Sequence, residues 1–108
     1  MNITHLVAMT TEGKVHMATY LMFGKYSAKA VKAISAKRTA DAAALIKQNG
    51  GKLKAGYALL GDVDLILVVE LPDTESVMKT SAALSLLLGI SFSTAPALSV
   101  QDFDKLMA

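Results

Sequence analysis

The sequence predicts an α+β domain in the split β-α-β-β-α-β order, with four strands in one antiparallel sheet and both helices on one face. Two segments of helical periodicity, residues 27–48 and 74–88, each lie between segments of strand character. Between the helices, residues 52–60 and 64–71 are joined only by Gly61-Asp62-Val63, a spacing that predicts a β-hairpin. The second of these strands is apolar on both faces, whereas helices on one side of a sheet cover only one. The other face needs a cover from outside the chain's own fold.

Each element follows from its residues. The first strand spans residues 18–25, with Thr19, Leu21 and Phe23 on one face and Tyr20 and Met22 on the other. Gly24-Lys25-Tyr26-Ser27 turns the chain, and Ser27 is the expected N-cap. Residues 27–48 are rich in Ala and Lys and free of Pro and Gly, which predicts one helix. At about 100° per residue, Val31, Ile34, Ala42, Leu45 and Ile46 share its inner face, with Lys29, Lys32 and Lys47 opposite. Asn49-Gly50-Gly51 stops it, because these residues tolerate the left-handed conformation.

After the hairpin, Pro72-Asp73 ends the strand, and Asp73 or Thr74 caps the second helix with Glu75 in its first turn. Its predicted inner stripe is Val77, Met78, Ala82, Leu84, Ser85 and Leu88, and Gly89 closes it. Residues 90–98 alternate Ile90, Phe92 and Thr94 with Ser91, Ser93 and Ala95, while Pro96 places the strand's end at an edge or bulge. Residues 102–106 form a short C-terminal turn. Residues 1–16 read as an extension, either a hairpin arm or an appended segment, ahead of a single domain over 17–108.

Composition sharpens the expectation about the uncovered face. Of the 108 residues, 53% are apolar and 19% charged, the latter below the ~25% of ordinary soluble domains. The length allows one core, so the apolar surplus predicts surface hidden against another subunit. An identical sheet is the most economical cover, which gives a ferredoxin-like fold closing as a homodimeric α+β barrel, with higher oligomers left open. The absence of cysteine excludes disulfides, thiolate metal sites and a cysteine nucleophile. No apolar run approaches the ~20 residues that span a bilayer. The N-terminus also lacks the basic and apolar regions of a secretory signal. A cytoplasmic protein without a membrane partner is expected.

Nine of the eleven basic side chains fall in residues 1–54 and seven of the nine acidic ones in 55–108. Ten of the eleven are lysines spaced like a solvated helix face, so opposite-charge packing within an oligomer is favoured over nucleic-acid binding.

The candidate site residues are few. Arg38, the only arginine, falls about 180° from Lys29 on the helical wheel and so faces the sheet. A buried guanidinium needs a partner. Asp62 or Asp64 in the hairpin turn would tie it down structurally, and a ligand carboxylate would make it an anion clamp. Asp62 is an ordinary turn residue, whereas Asp64 opens an apolar strand and is the less ordinary of the two. Tyr26, at the strand-to-helix turn, is placed to line a pocket mouth, while Tyr20 and Tyr57 read as packing residues in strands. The expected ligand-binding set is therefore Arg38, Tyr26 and Asp64. His5 and His16 lie in the extension without metal-ligand spacing, so no metal and no cofactor are expected. Neither a nucleotide-binding glycine motif nor a P-loop occurs.

Over residues 17–107 the chain resembles the GYD domain family of the dimeric α+β barrel superfamily. The carriers are Met17-Ala18-Thr19-Tyr20-Leu21-Met22, Lys25-Tyr26-Ser27, Ala36-Lys37-Arg38-Thr39 and Gly50-Gly51-Lys52-Leu53-Lys54. They continue with Tyr57 to Leu65, Leu71-Pro72-Asp73, Ala95-Pro96-Ala97-Leu98 and Asp102-Phe103-Asp104-Lys105. Of the naming motif, Gly61 and Asp64 match, while Val63 stands where the family has tyrosine, so no role that needs that phenol is expected. The resemblance implies the fold and a barrel dimer but no reaction. Three readings follow. The first is a homodimeric module that binds a small organic ligand or only assembles, without catalysis. The alternatives are a cofactor-independent enzyme on small molecules and a haem- or metal-binding barrel.

Overall fold

A computed structural model describes residues 17–108. The expected extension, residues 1–16 with His5 and His16, lies outside the described residues. The elements are β1 (Ala18–Tyr26), α1 (Ala28–Lys32), α2 (Ala36–Gln48), β2 (Lys52–Ala58), β3 (Leu65–Leu71), α3 (Thr74–Leu88), β4 (Ile90–Ala97) and α4 (Val100–Met107). The strands form one sheet in the order β2-β3-β1-β4, and every neighbouring pair is antiparallel. This is the ferredoxin-like α+β arrangement expected.

Alternation along the strands separates the two faces of the sheet. Met22, Leu67, Val69, Leu71 and Ile90 point to the helices and are buried with Ala30, Ala42, Ile46, Val77, Leu84 and Leu88. Leu21, Phe23, Ile66 and Val68 fall on the opposite face, where Leu21 pairs with Val68 and Phe23 with Ile66 across β1 and β3. The core thus sits on one side of the sheet. α4 does not bury the other: all eight of its residues are exposed, Phe103 at 52% among them.

One expectation is overturned in the first helical region. The helix expected over residues 27–48 is two, α1 and α2, separated by Ala33, Ile34 and Ser35. Ser35 adopts an extended backbone (φ −164°, ψ 158°), and its hydroxyl accepts from the N–H of Arg38 at 3.1 Å. A serine that caps a new helix offsets the turn lost by interrupting the old one. Val31 and Ile34, expected on the inner face, are consequently exposed, Ile34 at 59%. Ala42 and Ile46 are buried as expected.

The second helix matches its expected limits. Asp73 caps it by accepting from the N–H of Ser76 at 2.7 Å, and Gly89 ends it in the left-handed conformation (φ 69°). Its buried stripe is Val77, Thr80, Leu84 and Leu88, whereas Met78 and Ala82 are exposed. The stripe is displaced from the expected one because Thr80, polar by type, occupies a core position. The C-terminal turn expected over 102–106 is a longer helix, α4, capped by Ser99. No helix among the described residues is long and apolar enough to cross a membrane.

Candidate functional site

The break between α1 and α2 shapes the site. It leaves the first turn of α2 standing over the end of the sheet where β2 and β3 meet at the hairpin, and a cavity of about 360 Å³ lies between them. Leu53, Leu65, Leu67 and Ile90 supply its apolar floor, Ile34, Arg38, Thr39 and Ala42 its helical wall. Tyr26 and Tyr57 also border it. The volume is at the small end of the ~300–1,000 Å³ of ligand pockets.

Arg38 is the charged residue of that wall. Its side chain points to the sheet side, as the wheel predicted, and is half-buried. The partners differ from those expected. No ion pair joins it to Asp62 or Asp64; among the described residues the ion pair present is Lys37–Asp41, exposed and one turn apart. Instead its Nη1 donates to the Ala30 carbonyl at 2.6 Å, and its guanidinium carbon lies 5.4 Å from the centroid of the Tyr26 ring. Ala30 is in the last turn of α1, and its carbonyl also accepts from the Ala33 N–H at 3.1 Å, so the guanidinium shares a carbonyl at the break. A charge-assisted hydrogen bond and a cation–π contact together hold the guanidinium in place.

Tyr26 is fixed from the other side. Its backbone N–H donates to Asp64 Oδ2 at 2.9 Å, and the Asp64 backbone N–H donates to the Gly24 carbonyl at 2.9 Å. The Asp64 carbonyl accepts from Leu59 N–H at 2.9 Å, which closes the hairpin. Asp64 is therefore a junction between β1 and the hairpin; it does not line the cavity but holds the backbone of a residue that does. Asp62 is exposed, in keeping with an ordinary turn aspartate.

The structure thus brings Arg38 and Tyr26 together on one cavity and sets Asp64 behind them. Sequence reasoning missed Tyr57 as a cavity residue: it borders the cavity from β2, where it pairs with Ile66, and is 59% exposed. Its strand carries a register shift between Leu53 and Ala55, leaving Lys54 as the extra residue, and alternation cannot be counted through such a bulge. The Ala30 carbonyl was also missed, since a main-chain acceptor has no residue-type signature. No group of three or more His, Asp or Glu side chains that could hold a metal ion occurs among the described residues.

A family model for the GYD domain matches residues 20–107. No curated protein matches the chain significantly. Among solved structures, the leucine response regulatory protein LrpA of Mycobacterium tuberculosis is similar, with a TM-score of 0.52 and 8% identity. That match covers 77% of this chain and 51% of that one. A glycine-to-threonine mutant of Rv3291c matches with a TM-score of 0.52 and 8% identity over 93% of this chain and 57% of the other. The chain therefore spans about half the length of these proteins. At such identities the likeness is one of fold.

Proposed function

The chain belongs to the GYD domain family, and we propose that it works as a cytoplasmic homodimeric module that binds a small organic ligand between α2 and the β2–β3 hairpin. The observation that carries the ligand reading is the state of Arg38. It lines a mostly apolar cavity, is braced by Ala30 and Tyr26, and has no carboxylate partner among the described residues. A small apolar space with a few fixed polar groups is the usual form of a ligand site. Arg38 and Tyr26 contact the ligand, and Asp64 acts through Tyr26 by holding its backbone. The wall offers apolar surface and hydrogen-bond donors, which is equipment for holding a molecule.

The dimer reading rests on the second face of the sheet. Leu21, Phe23, Ile66 and Val68 form a row across its two central strands, and the core lies wholly on the other side. An identical row from a second copy covers it with matched chemistry.

Native mass spectrometry of the 108-residue chain against a small-molecule library tests both parts. The expected result is a dimer that retains an intact ligand, with retention reduced when Arg38 or Tyr26 is replaced by alanine. Release of a chemically altered molecule would establish an enzyme instead. Binding unaffected by both substitutions would move the site elsewhere.

A further inference from the structure

The chemical class of the ligand follows from which edge of Arg38 is free. A guanidinium carries five N–H donors in a planar fork. Here Nη1 is committed to the Ala30 carbonyl, and the guanidinium carbon stands 5.4 Å from the centroid of the Tyr26 ring. The Nε and Nη2 donors have no acceptor among the described residues, and Arg38 borders the cavity. Two parallel N–H groups on one edge match the two oxygens of a carboxylate. The rest of the cavity is furnished for the opposite chemistry: Ile34, Leu53, Leu65, Leu88 and Ile90 give it apolar walls.

We infer that the cavity takes a small monocarboxylate with an apolar body, its carboxylate on the Nε–Nη2 edge of Arg38 and its body along the floor of β3 and β4. This rests on the small-ligand reading above and narrows it to one class. Arg38 is held before a ligand arrives, so little side-chain freedom remains to be lost on binding. The volume of about 360 Å³ limits the body to a short chain or a single ring.

The test is a titration of the intact chain, followed by amide NMR shifts, with sodium octanoate and with octan-1-ol, which keeps the body and removes the charge. Octanoate is expected to bind at least about tenfold more tightly than octanol, the range for a hydrogen bond to a charged group. Shifts should centre on Tyr26, Arg38 and Tyr57. Shortening octanoate to hexanoate should weaken binding by about fourfold for each methylene removed. Arg38→Met should erase the difference between acid and alcohol, and Arg38→Lys, which keeps the charge but not the fork, should retain only part of it.

Equal affinity for octanoate and octanol on the wild-type chain overturns the carboxylate class and leaves the small-ligand site standing. Shifts from neither compound at these residues overturn the class and the site together. Because the acid–alcohol comparison is made on the unmodified protein, the result stands even if an Arg38 variant fails to fold.

Discussion

Asp64 accepts a hydrogen bond from the backbone N–H of Tyr26 at 2.9 Å, a contact between residues 38 apart in sequence that ties the hairpin to the end of β1. Removing the carboxylate leaves a partly buried N–H without an acceptor, which costs about 1–3 kcal/mol. Asp64→Ala should therefore lose stability of that order in urea denaturation. Asp64→Asn, which keeps a carbonyl oxygen, should lose less. Equal losses from the two would mean that the carboxylate is tied to Tyr26 by something other than this bond.

Arg38 and Lys47 stand on the same helix and differ in what they touch. Arg38 holds the Ala30 carbonyl and the Tyr26 ring, while Lys47 is exposed and has no ion pair among the described residues. Arg38→Ala should destabilise by about 1–2 kcal/mol, less than a buried charge pair because the side chain is only half-buried. Lys47→Ala should stay within about 0.5 kcal/mol of wild type. Equal urea midpoints would show that the contacts of Arg38 add nothing to folding.

The legible parts of the molecule are those where residue type and period agree. The alternation through Thr19, Tyr20, Leu21, Met22 and Phe23 assigns both faces of β1, and Asp73 with Gly89 marks both ends of α3. The α1–α2 break was hidden because residues 27–48 hold no Pro or Gly, and its one signal was Ser35 standing before Ala36-Lys37-Arg38, as Ser27 stands before Ala28-Lys29. That same break explains why half the site was readable. The direction of Arg38 is a property of the α2 wheel and survives it. The partner of Arg38 is the main-chain carbonyl of Ala30 in the last turn of α1, which also accepts from the Ala33 N–H, and no side chain announces it.

Thr80 is the opposite case, a polar residue in a place built for an apolar one. It is fully buried in α3, and its Oγ1 has no hydrogen-bond partner among the described residues. An unsatisfied buried hydroxyl costs about 1–3 kcal/mol, and valine has nearly the same shape. Thr80→Val should raise stability by about 1 kcal/mol, read as an upward shift of the urea midpoint with an unchanged slope. A fall in the midpoint would show that the hydroxyl is satisfied in solution.

Val68 faces Leu21 across the two central strands on the side away from the helices. If an identical sheet covers this face, Val68 lies near the middle of the contact. A carboxylate there would be buried without a partner, at a cost of several kcal/mol for each copy. The wild-type chain should sediment as a dimer at micromolar concentration, and Val68→Glu as a monomer. In that monomer the glutamate is solvated, so the helix-side core through Val69 and Leu67 should persist and the far-ultraviolet spectrum should change little. Two results decide against the sheet-to-sheet dimer: a wild-type monomer in sedimentation, or a Val68→Glu protein that remains a dimer. The second would move the interface to another surface, and the exposed apolar side of α4, with Val100, Phe103 and Leu106, would be the next to substitute.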